Sequence, residues 1–483
     1  MSAAAALVVA AALAGCGSTI YFAGRTLPPS GLANRVLIAI QNPNTTNTGT
    51  LLFVDAFYDI RYRYNSANVG PAFAISGYSG NLPISIQNLP EQQAGAVYGS
   101  GDGSFVMVNY AGETASGGNV SGLNGFSSSV YVSRNESYVV AASQGSHVMT
   151  VINRGTGGSY PLSLPGVYRV SLNPAGSVAL AFVQNSNYVY YPRQLTAAQT
   201  IAYSGGPSTW PLGAQDCEPQ TAPAWCLFQA LDPASTKGNI IPLTFDRPVK
   251  AVFSADGGTA YILNCGPECG GTRASVTQLP IAPMIFLLGQ ASGLLPSTTT
   301  PSTLCGTVNL ATGCVPTPGG ASNALVDSST LYVVGQEYSG GYWGGNLTRI
   351  NLSTNTVSAP AVSISDGAPG AVSRMIEADD DTLWIGMTKC NTGVRAAAGQ
   401  PYGCLTMYNL STNAVTLMPY NNDATGIAAV SGLHKIYTAE GGQIYIYSTV
   451  DGTAIDNQFV TESGTSYDVA YMDGLTDANN TVY

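Results

Sequence analysis

The residues that could do chemistry are few. His147 and His434 are the only imidazoles in 483 residues, so the commonest general base has little supply. His147 stands at the start of an alternating apolar run and His434 in a Gly432-Leu433-His434-Lys435 turn, positions that suit structural or solvated roles. No Ser-His-acid set and no Gly-x-Ser-x-Gly elbow in a strand-to-helix context emerges, and no catalytic residue is assigned. Asp379-Asp380-Asp381, after Met375-Ile376-Glu377, offers oxygen ligands to a hard cation but lacks the spacing of a calcium loop. It reads as a solvated turn, as does Ser100-Gly101-Asp102-Gly103-Ser104.

Cysteine chemistry is better supplied. Of nine cysteines, Cys16 stands apart and eight fall as neighbours: Cys217 and Cys226, Cys265 and Cys269, Cys305 and Cys314, Cys390 and Cys404. An even count with short spacing inside each pair points to local disulfides in an exported chain. Each would brace one loop, at roughly 2 to 3 kcal/mol in the chain-entropy account. Zinc would need four converging ligands, so no metal and no cofactor is assigned. Six of these cysteines lie in two long insertions, near residues 194–248 and 265–321, together with Trp210, Trp225, Asp216 and Glu218. Braced loops of that length are where binding is expected. Tyr342-Trp343, between Ser339-Gly340-Gly341 and Gly344-Gly345, is a further aromatic platform for a sugar or protein, with packing against a neighbouring unit as the competing role.

The amino terminus reads as an address. Ala3 to Gly15 is an apolar, Ala-rich run, too short for a bilayer that needs about 20 residues. It ends in Leu13-Ala14-Gly15-Cys16, which resembles the lipobox of bacterial lipoprotein signal peptides. That resemblance implies a signal peptide over residues 1–16, a lipidated Cys16, and, with Gly17 following, an outer-membrane address. Acyl chains contribute about 0.8 kcal/mol per buried CH₂ and anchor without a spanning helix. Only Met1 and Ser2 precede the run; the usual basic residue is missing, and a start a few codons upstream is the expectation. Residues 17–30, with Pro28 and Pro29, read as a tether.

What must position these groups is a repeat. Ser129-Val130-Tyr131-Val132-Ser133, Tyr138-Val139-Val140-Ala141-Ala142 and His147-Val148-Met149-Thr150-Val151-Ile152 are successive alternating segments, and period-2 alternation rich in β-branched residues predicts strands. Tyr98 lies forty residues before Tyr138, the length of a propeller blade. Asn173-Pro174-Ala175-Gly176 and Ser254-Ala255-Asp256-Gly257 supply hairpin chemistry. Asn351-Leu352-Ser353-Thr354-Asn355-Thr356-Val357 is nearly repeated as Asn409-Leu410-Ser411-Thr412-Asn413-Ala414-Val415.

These units resemble bacterial propellers with Tyr-Val-Thr-Asn-type repeats, a group with surface-antigen-like and lactonase-like members, across most of residues 80–460. The expected fold is all-β: one propeller over residues 31–483, of seven to eight four-stranded blades. Units fall near 35–80, 83–120, 128–165, 168–246, 249–312, 322–361, 373–420 and 426–462. The first lacks an inner strand, and Tyr467-Asp468-Val469-Ala470-Tyr471-Met472 is placed to supply it, closing the ring and removing the free sheet edge.

Charge narrows the function. With 17 basic and 27 acidic residues the net charge is −10, and no basic stripe exists for nucleic acid. The functional expectation is an exported, lipid-anchored binding or scaffold module for a protein or glycan at the outer membrane, cell surface or periplasmic face. The alternative is a lactonase-like or other hydrolase with carboxylates and a metal in the central channel. An enzyme would bring inward-facing acids from several blades to one channel end; a binder would expose aromatics on its loops.

Overall fold

The computed structural model describes residues 25, 28–42, 48–65, 68–115, 123, 126–196, 214–218, 224–230, 243–282, 314–357, 361–366, 372–391, 393–420, 422–460 and 464–476. Cys16, Cys305 and Trp210 lie outside them. The chain forms eight antiparallel blades of chiefly four strands arranged as a ring. Among the described residues helix is confined to short turns such as Val394–Ala397, and none of it is long and apolar enough to cross a membrane.

Blade 1 is the closing blade: its innermost strand is Thr465–Tyr471, followed outward by Arg35–Asn42 and Thr48–Asp55. Val36 pairs with Tyr471 and Ile38 with Val469, so the two ends of the chain share one sheet, as the sequence predicts. The segment at Phe73–Ile75 completes the blade through Phe53 N–H to Phe73 O and Ile75 N–H to Leu51 O. Blades 2 to 8 follow in chain order, with innermost strands Pro83–Leu89, Ser129–Val132, Val167–Leu172, Pro248–Phe253, Asn323–Asp327, Val372–Ala378 and Ala424–Val430. Blade 4 departs from four strands. Its third strand, Val189–Gln194, pairs with Trp225–Gln229, which pairs with Ala214–Glu218, so the insertion there extends the sheet to five.

Because both faces of the inner strands are covered, their residues are buried in near-continuous runs, as in Ala94–Gly99 and Thr382–Met387. Eight buried clusters result, each shared by two neighbouring blades: Leu180 and Phe182 of blade 4 meet Ile262 of blade 5, and Ile444 and Ile446 of blade 8 meet Val36 and Ile38 of blade 1. Burial on this scale, at about 25 cal/mol per Å² of apolar surface, holds blade to blade, and hydrogen bonds between neighbouring inner strands add to it.

Turn chemistry follows the sequence closely. Asn173 Oδ1 accepts from the N–H groups of Ser177 and Val178 at 2.9 Å each, and Gly176 takes φ +69°. A Cβ at Gly176 would come 2.3 Å from Ser133 Cβ of the previous blade, so that turn needs glycine twice over. The near-repeat forms one turn twice: Asn351 Oδ1 caps Ser353 and Thr354, Asn409 Oδ1 caps Ser411 and Thr412, and Asn355 and Asn413 are both left-handed, at φ 56° and 61°.

Alternation of strand direction defines two faces. The innermost strands begin at what we term the upper face and end at the lower. Loops between second and third strands lie on the upper face, and those between first and second on the lower.

Candidate functional site

Along the channel the innermost strands present a free edge, and the structure covers it with side chains from the preceding blade. Ser129 Oγ accepts from Val170 N–H at 3.2 Å, Ser171 Oγ from Ala251 N–H at 3.1 Å, and Asp468 Oδ2 from Ile86 N–H at 2.8 Å. Gln87 pairs with both backbone groups of Val132, at 2.8 Å each. The edge that would otherwise recruit a foreign strand is occupied.

Six innermost strands carry a bulge near their start, after which the register resumes at Ser85, Arg169, Lys250, Arg374, Gly426 and Asp468. Ser129 and Asn323 are the matching positions in the two straight strands, since each stands four residues before the turn into the second strand. These eight residues form one layer of the channel, every member polar or glycine. Three are cations. Lys250 is 4% exposed and donates to Asn323 Oδ1 of the next blade at 2.7 Å. Burial, and then repulsion by Arg169 and Arg374, drives its ammonium well below the usual lysine range. Arg374 reaches across blade 8 to Asp468, 3.8 Å away. That reach is open because the residue between is Gly426, where a Cβ would lie 2.7 Å from Asp468 Cα and Oδ1. Burial raises the Asp468 carboxyl to about 6 in spite of Arg374.

Below this layer a cavity of about 520 Å³ runs toward the lower face, lined at its inner end by Lys250, Asp468 and Tyr131 and near its mouth by Asp327, Ser328 and Glu377. Burial raises the Glu377 carboxyl, with Asp327 and Asp381 adding to the effect. The channel acids thus stand at two depths, Asp468 in the layer and Asp327 with Glu377 at the mouth, the latter two from adjacent blades. The acids that meet at the lower end come from blades 6 and 7.

On the upper face the longest hairpin belongs to blade 6, where Thr330–Ser339 and Tyr342–Asn351 run ten residues each. Tyr338 is 60% and Tyr342 41% exposed, and Tyr338 packs on Trp343 with ring centroids 5.5 Å apart. Gly340 and Gly341, at φ +62° and +93°, form the two-residue turn that sets Tyr338 opposite Trp343. The hairpin is fixed at its base by the neighbouring blade, where Glu268 Oε2 accepts from Gln336 N–H at 3.0 Å. Burial lifts that carboxyl to about 7. Glu268 belongs to a loop closed by the Cys265–Cys269 disulfide, and the Cys390–Cys404 disulfide closes the equivalent loop of blade 7.

The remaining sequence candidates are scattered. Cys217 and Cys226 bond across adjacent outer strands of blade 4, and Cys314 is also disulfide-bonded. Trp225 packs between blades 3 and 4 against Tyr138 and Tyr160. Asp216 Oδ2 accepts from Ser163 N–H. His147 is exposed in a left-handed turn. His434 lies on the lower face with Nδ1 2.8 Å from Asp380 Oδ2, and that contact raises its pKa. Asp379 accepts from Gly432 and His434 N–H groups and Asp381 from Ser411 Oγ, so the acidic triplet is spent on turns. Asp423 lies close to Cys390 and Cys404, but sulfurs joined in a disulfide are not thiolate ligands.

Two features escaped the sequence reading. The cation layer is one; a basic residue seven before the turn glycine in two blades, Arg169 before Gly176 and Lys250 before Gly257, was its only local signal. The other is Phe57-Tyr58, 56% and 67% exposed on the lower face, on a turn fastened by Lys435 Nζ to Ala56 O and Asp59 Oδ2.

No family model matches the sequence, and no curated protein is similar to it. Similar folds occur among solved structures. A putative 6-phosphogluconolactonase from Bacteroides fragilis is 10% identical over 91% of this chain and 97% of its own, with TM-score 0.42. The β-propeller domain of Cps50 (Swd1) from Myceliophteria thermophila is 10% identical over 77% and 98%, with TM-score 0.44. The C-terminal WD40 domain of Sif2 is 10% identical over 85% and 95%, with TM-score 0.45.

Proposed function

We propose that this propeller is an exported, lipid-anchored binding or scaffold module that engages a protein or glycan partner at the cell envelope through its upper face. The observation that carries the reading is the blade 6 hairpin, which lifts Tyr338, Tyr342 and Trp343 out of the sheet on a base tied to a disulfide-closed loop. Exposed aromatic rings held rigidly lose little entropy on binding and offer both apolar faces and polar edges. The anchor is argued from Leu13-Ala14-Gly15-Cys16 alone. The hydrolase alternative has less support, because the acids at the channel mouth, Asp327 and Glu377 with Asp381 beside them, come from two blades.

The test is binding of the mature protein to a glycan array and to envelope proteins captured by cross-linking, with Tyr338→Ala, Tyr342→Ala and Trp343→Ala combined. Loss of binding by about tenfold or more at unchanged melting temperature supports the reading, and retention of binding overturns the assigned surface. Metabolic labelling with a fatty-acid probe tests the anchor separately: label on the wild type and none on Cys16→Ala is the expected result.

A further inference from the structure

We propose that the lower face of blades 8 and 1 docks on a lipid bilayer, with Phe57, Tyr58, Val450 and Leu475 seated among the headgroups; the choice of a bilayer as occupant rests on the Cys16 anchor proposed above. Among the described residues, large apolar side chains are exposed on both faces. Those of the upper face, Phe126, Tyr338, Tyr342 and Val394, are spread over blades 3, 6 and 7. Those of the lower face gather in two neighbouring blades, each at least half exposed. Phe57 and Tyr58 occupy the turn after Thr48–Asp55, Val450 the turn after Gln443–Ser448, and Leu475 follows the closing strand Thr465–Tyr471. A short bridge joins the two turns. Thr449 N–H donates to His434 O at 3.0 Å, and the next residue, Lys435, donates to Ala56 O at 3.0 Å, Phe57 O at 3.3 Å and Asp59 Oδ2 at 2.7 Å.

The rings are held outward by their own turn. Phe57 N–H donates to Asp55 Oδ1 at 3.0 Å, Asp59 is left-handed at φ 57°, and the two rings pack edge to face with centroids 4.8 Å apart. Asp59 is met by Lys435 and by the Tyr437 hydroxyl, so its charge is answered within the fold. Where the chain enters the propeller decides the occupant. Arg25 donates to Gly474 O at 2.8 Å and to Pro90 O at 3.0 Å, both on the lower face, and Gly474 precedes Leu475. Cys16 is nine positions from Arg25 (25 − 16), a reach of at most about 30 Å. The upper face lies roughly 20 Å beyond the lower, the length of a strand such as Thr465–Tyr471. A bilayer that holds Cys16 therefore meets the lower face first. Aromatic rings suit the headgroup level, and tethering raises the local concentration enough for a modest apolar patch to fix the orientation. With a net charge of −10, the contact must be apolar and insensitive to salt. Tyr338, Tyr342 and Trp343 then point away from the membrane, toward a partner.

The test couples the folded mature chain through Cys16 to a maleimide-bearing phospholipid in phosphatidylcholine vesicles, with the Cys16→Ser chain as the uncoupled control. Tryptophan is introduced as Phe57→Trp or Leu475→Trp on the lower face, or as Phe126→Trp, of like exposure, on the upper face, and the wild-type emission is subtracted. Lipid brominated on its acyl chains should quench both lower-face probes by about twofold or more, in low and high salt alike, and leave the upper-face probe unchanged. Absence of quenching at either lower-face probe in a variant with native circular dichroism, or equal quenching at Phe126→Trp, would overturn the docking face. Fatty-acid labelling of Cys16 in cells reads the anchor separately, because the vesicle coupling supplies a tether in any case. Quenching without label retires the anchor and keeps the docking face; label without quenching does the reverse.

Discussion

Two buried groups of charge lie within one turn of the ring and are built to opposite rules. At the seam that closes the propeller, Arg35 is 3% exposed, and its donors are met: Nε and Nη2 go to Asp473 at 3.1 and 2.7 Å, and Nη1 goes to Glu113 Oε1 and Tyr110 O at 2.8 Å each. Burial opposes its charge, yet Asp473 and Glu113 outweigh that and the guanidinium pKa is raised. In the channel layer, burial and mutual repulsion prevail and Lys250 is pushed toward neutrality. A cation whose partners are all supplied by the fold is a lock.

If that distinction holds, the largest effect comes from the lock. Arg35→Met leaves Asp473 and Glu113 facing one another without their cation, and a loss of about 3 to 5 kcal/mol is expected in urea denaturation. Because Arg35 joins the blade 1 strand Arg35–Asn42 to Asp473 beyond the closing strand and to the Tyr110–Glu113 turn of blade 2, hydrogen exchange should quicken first in Thr465–Tyr471. Uniform protection across the eight blades in that variant would mean the seam is not the lock. Gly426→Ala comes next. The added Cβ meets Asp468 backbone at 2.7 Å, so about 1 to 3 kcal/mol of destabilisation is expected, together with displacement of Asp468 from Arg374. A melting temperature equal to wild type would show that the layer is looser than its geometry.

The lock was half legible in the sequence and the layer was not. Tyr467–Met472 announced itself as a strand by alternation, and its lack of a blade of its own pointed to the first unit; Val36 and Tyr471 do pair. The Asn351 and Asn409 turns were readable because a turn is local chemistry, written in consecutive residues. Arg169, Lys250 and Arg374 are separated by 81 and 124 positions (250 − 169 and 374 − 250), and only the ring brings them together. Trp225 illustrates the same limit from the other side: an aromatic in a long insertion suggested a surface, but the insertion supplies outer strands to blade 4 and Trp225 packs against Tyr138. The blade 6 hairpin was visible as Tyr342-Trp343 amid glycines, whereas its partner Tyr338 required the register.

A third buried charge sharpens the distinction, since it is a carboxylate with a proton in place of a cation. Glu440 of blade 8 is fully buried, accepts from Thr438 Oγ1 at 2.7 Å, and is raised by burial to about 7. A carboxyl whose folded pKa lies above its unfolded value near 4.3 favours folding below that value, and the contribution is lost as pH rises through about 7. The Glu440 contribution should therefore decline between about pH 4.5 and 8, with Glu268 and Asp468 acting in the same direction and the depressed Lys250 in the opposite one, so the difference between variant and wild type is the quantity to read. Glu440→Gln should remove its share of that slope and stabilise the protein at pH 8 by on the order of 1 kcal/mol. A variant with the wild-type pH profile would place the ionised carboxylate at ease in blade 8.

The smallest change in stability is expected from the residue that most resembles Arg35 by burial. Lys250→Met keeps the length of the side chain and removes a charge that burial, Arg169 and Arg374 all disfavour. Its hydrogen-bond partner Asn323 Oδ1 retains the Ala324 N–H donor at 2.9 Å. The two arginines no longer face a third cation across the layer. Denaturation should thus shift by less than about 1 kcal/mol, in either direction, since replacing a buried charge that burial and like charges disfavour by an apolar group of similar volume is often neutral or stabilising. A loss of several kcal/mol would make Lys250 a lock like Arg35, a part of the assembly of the ring.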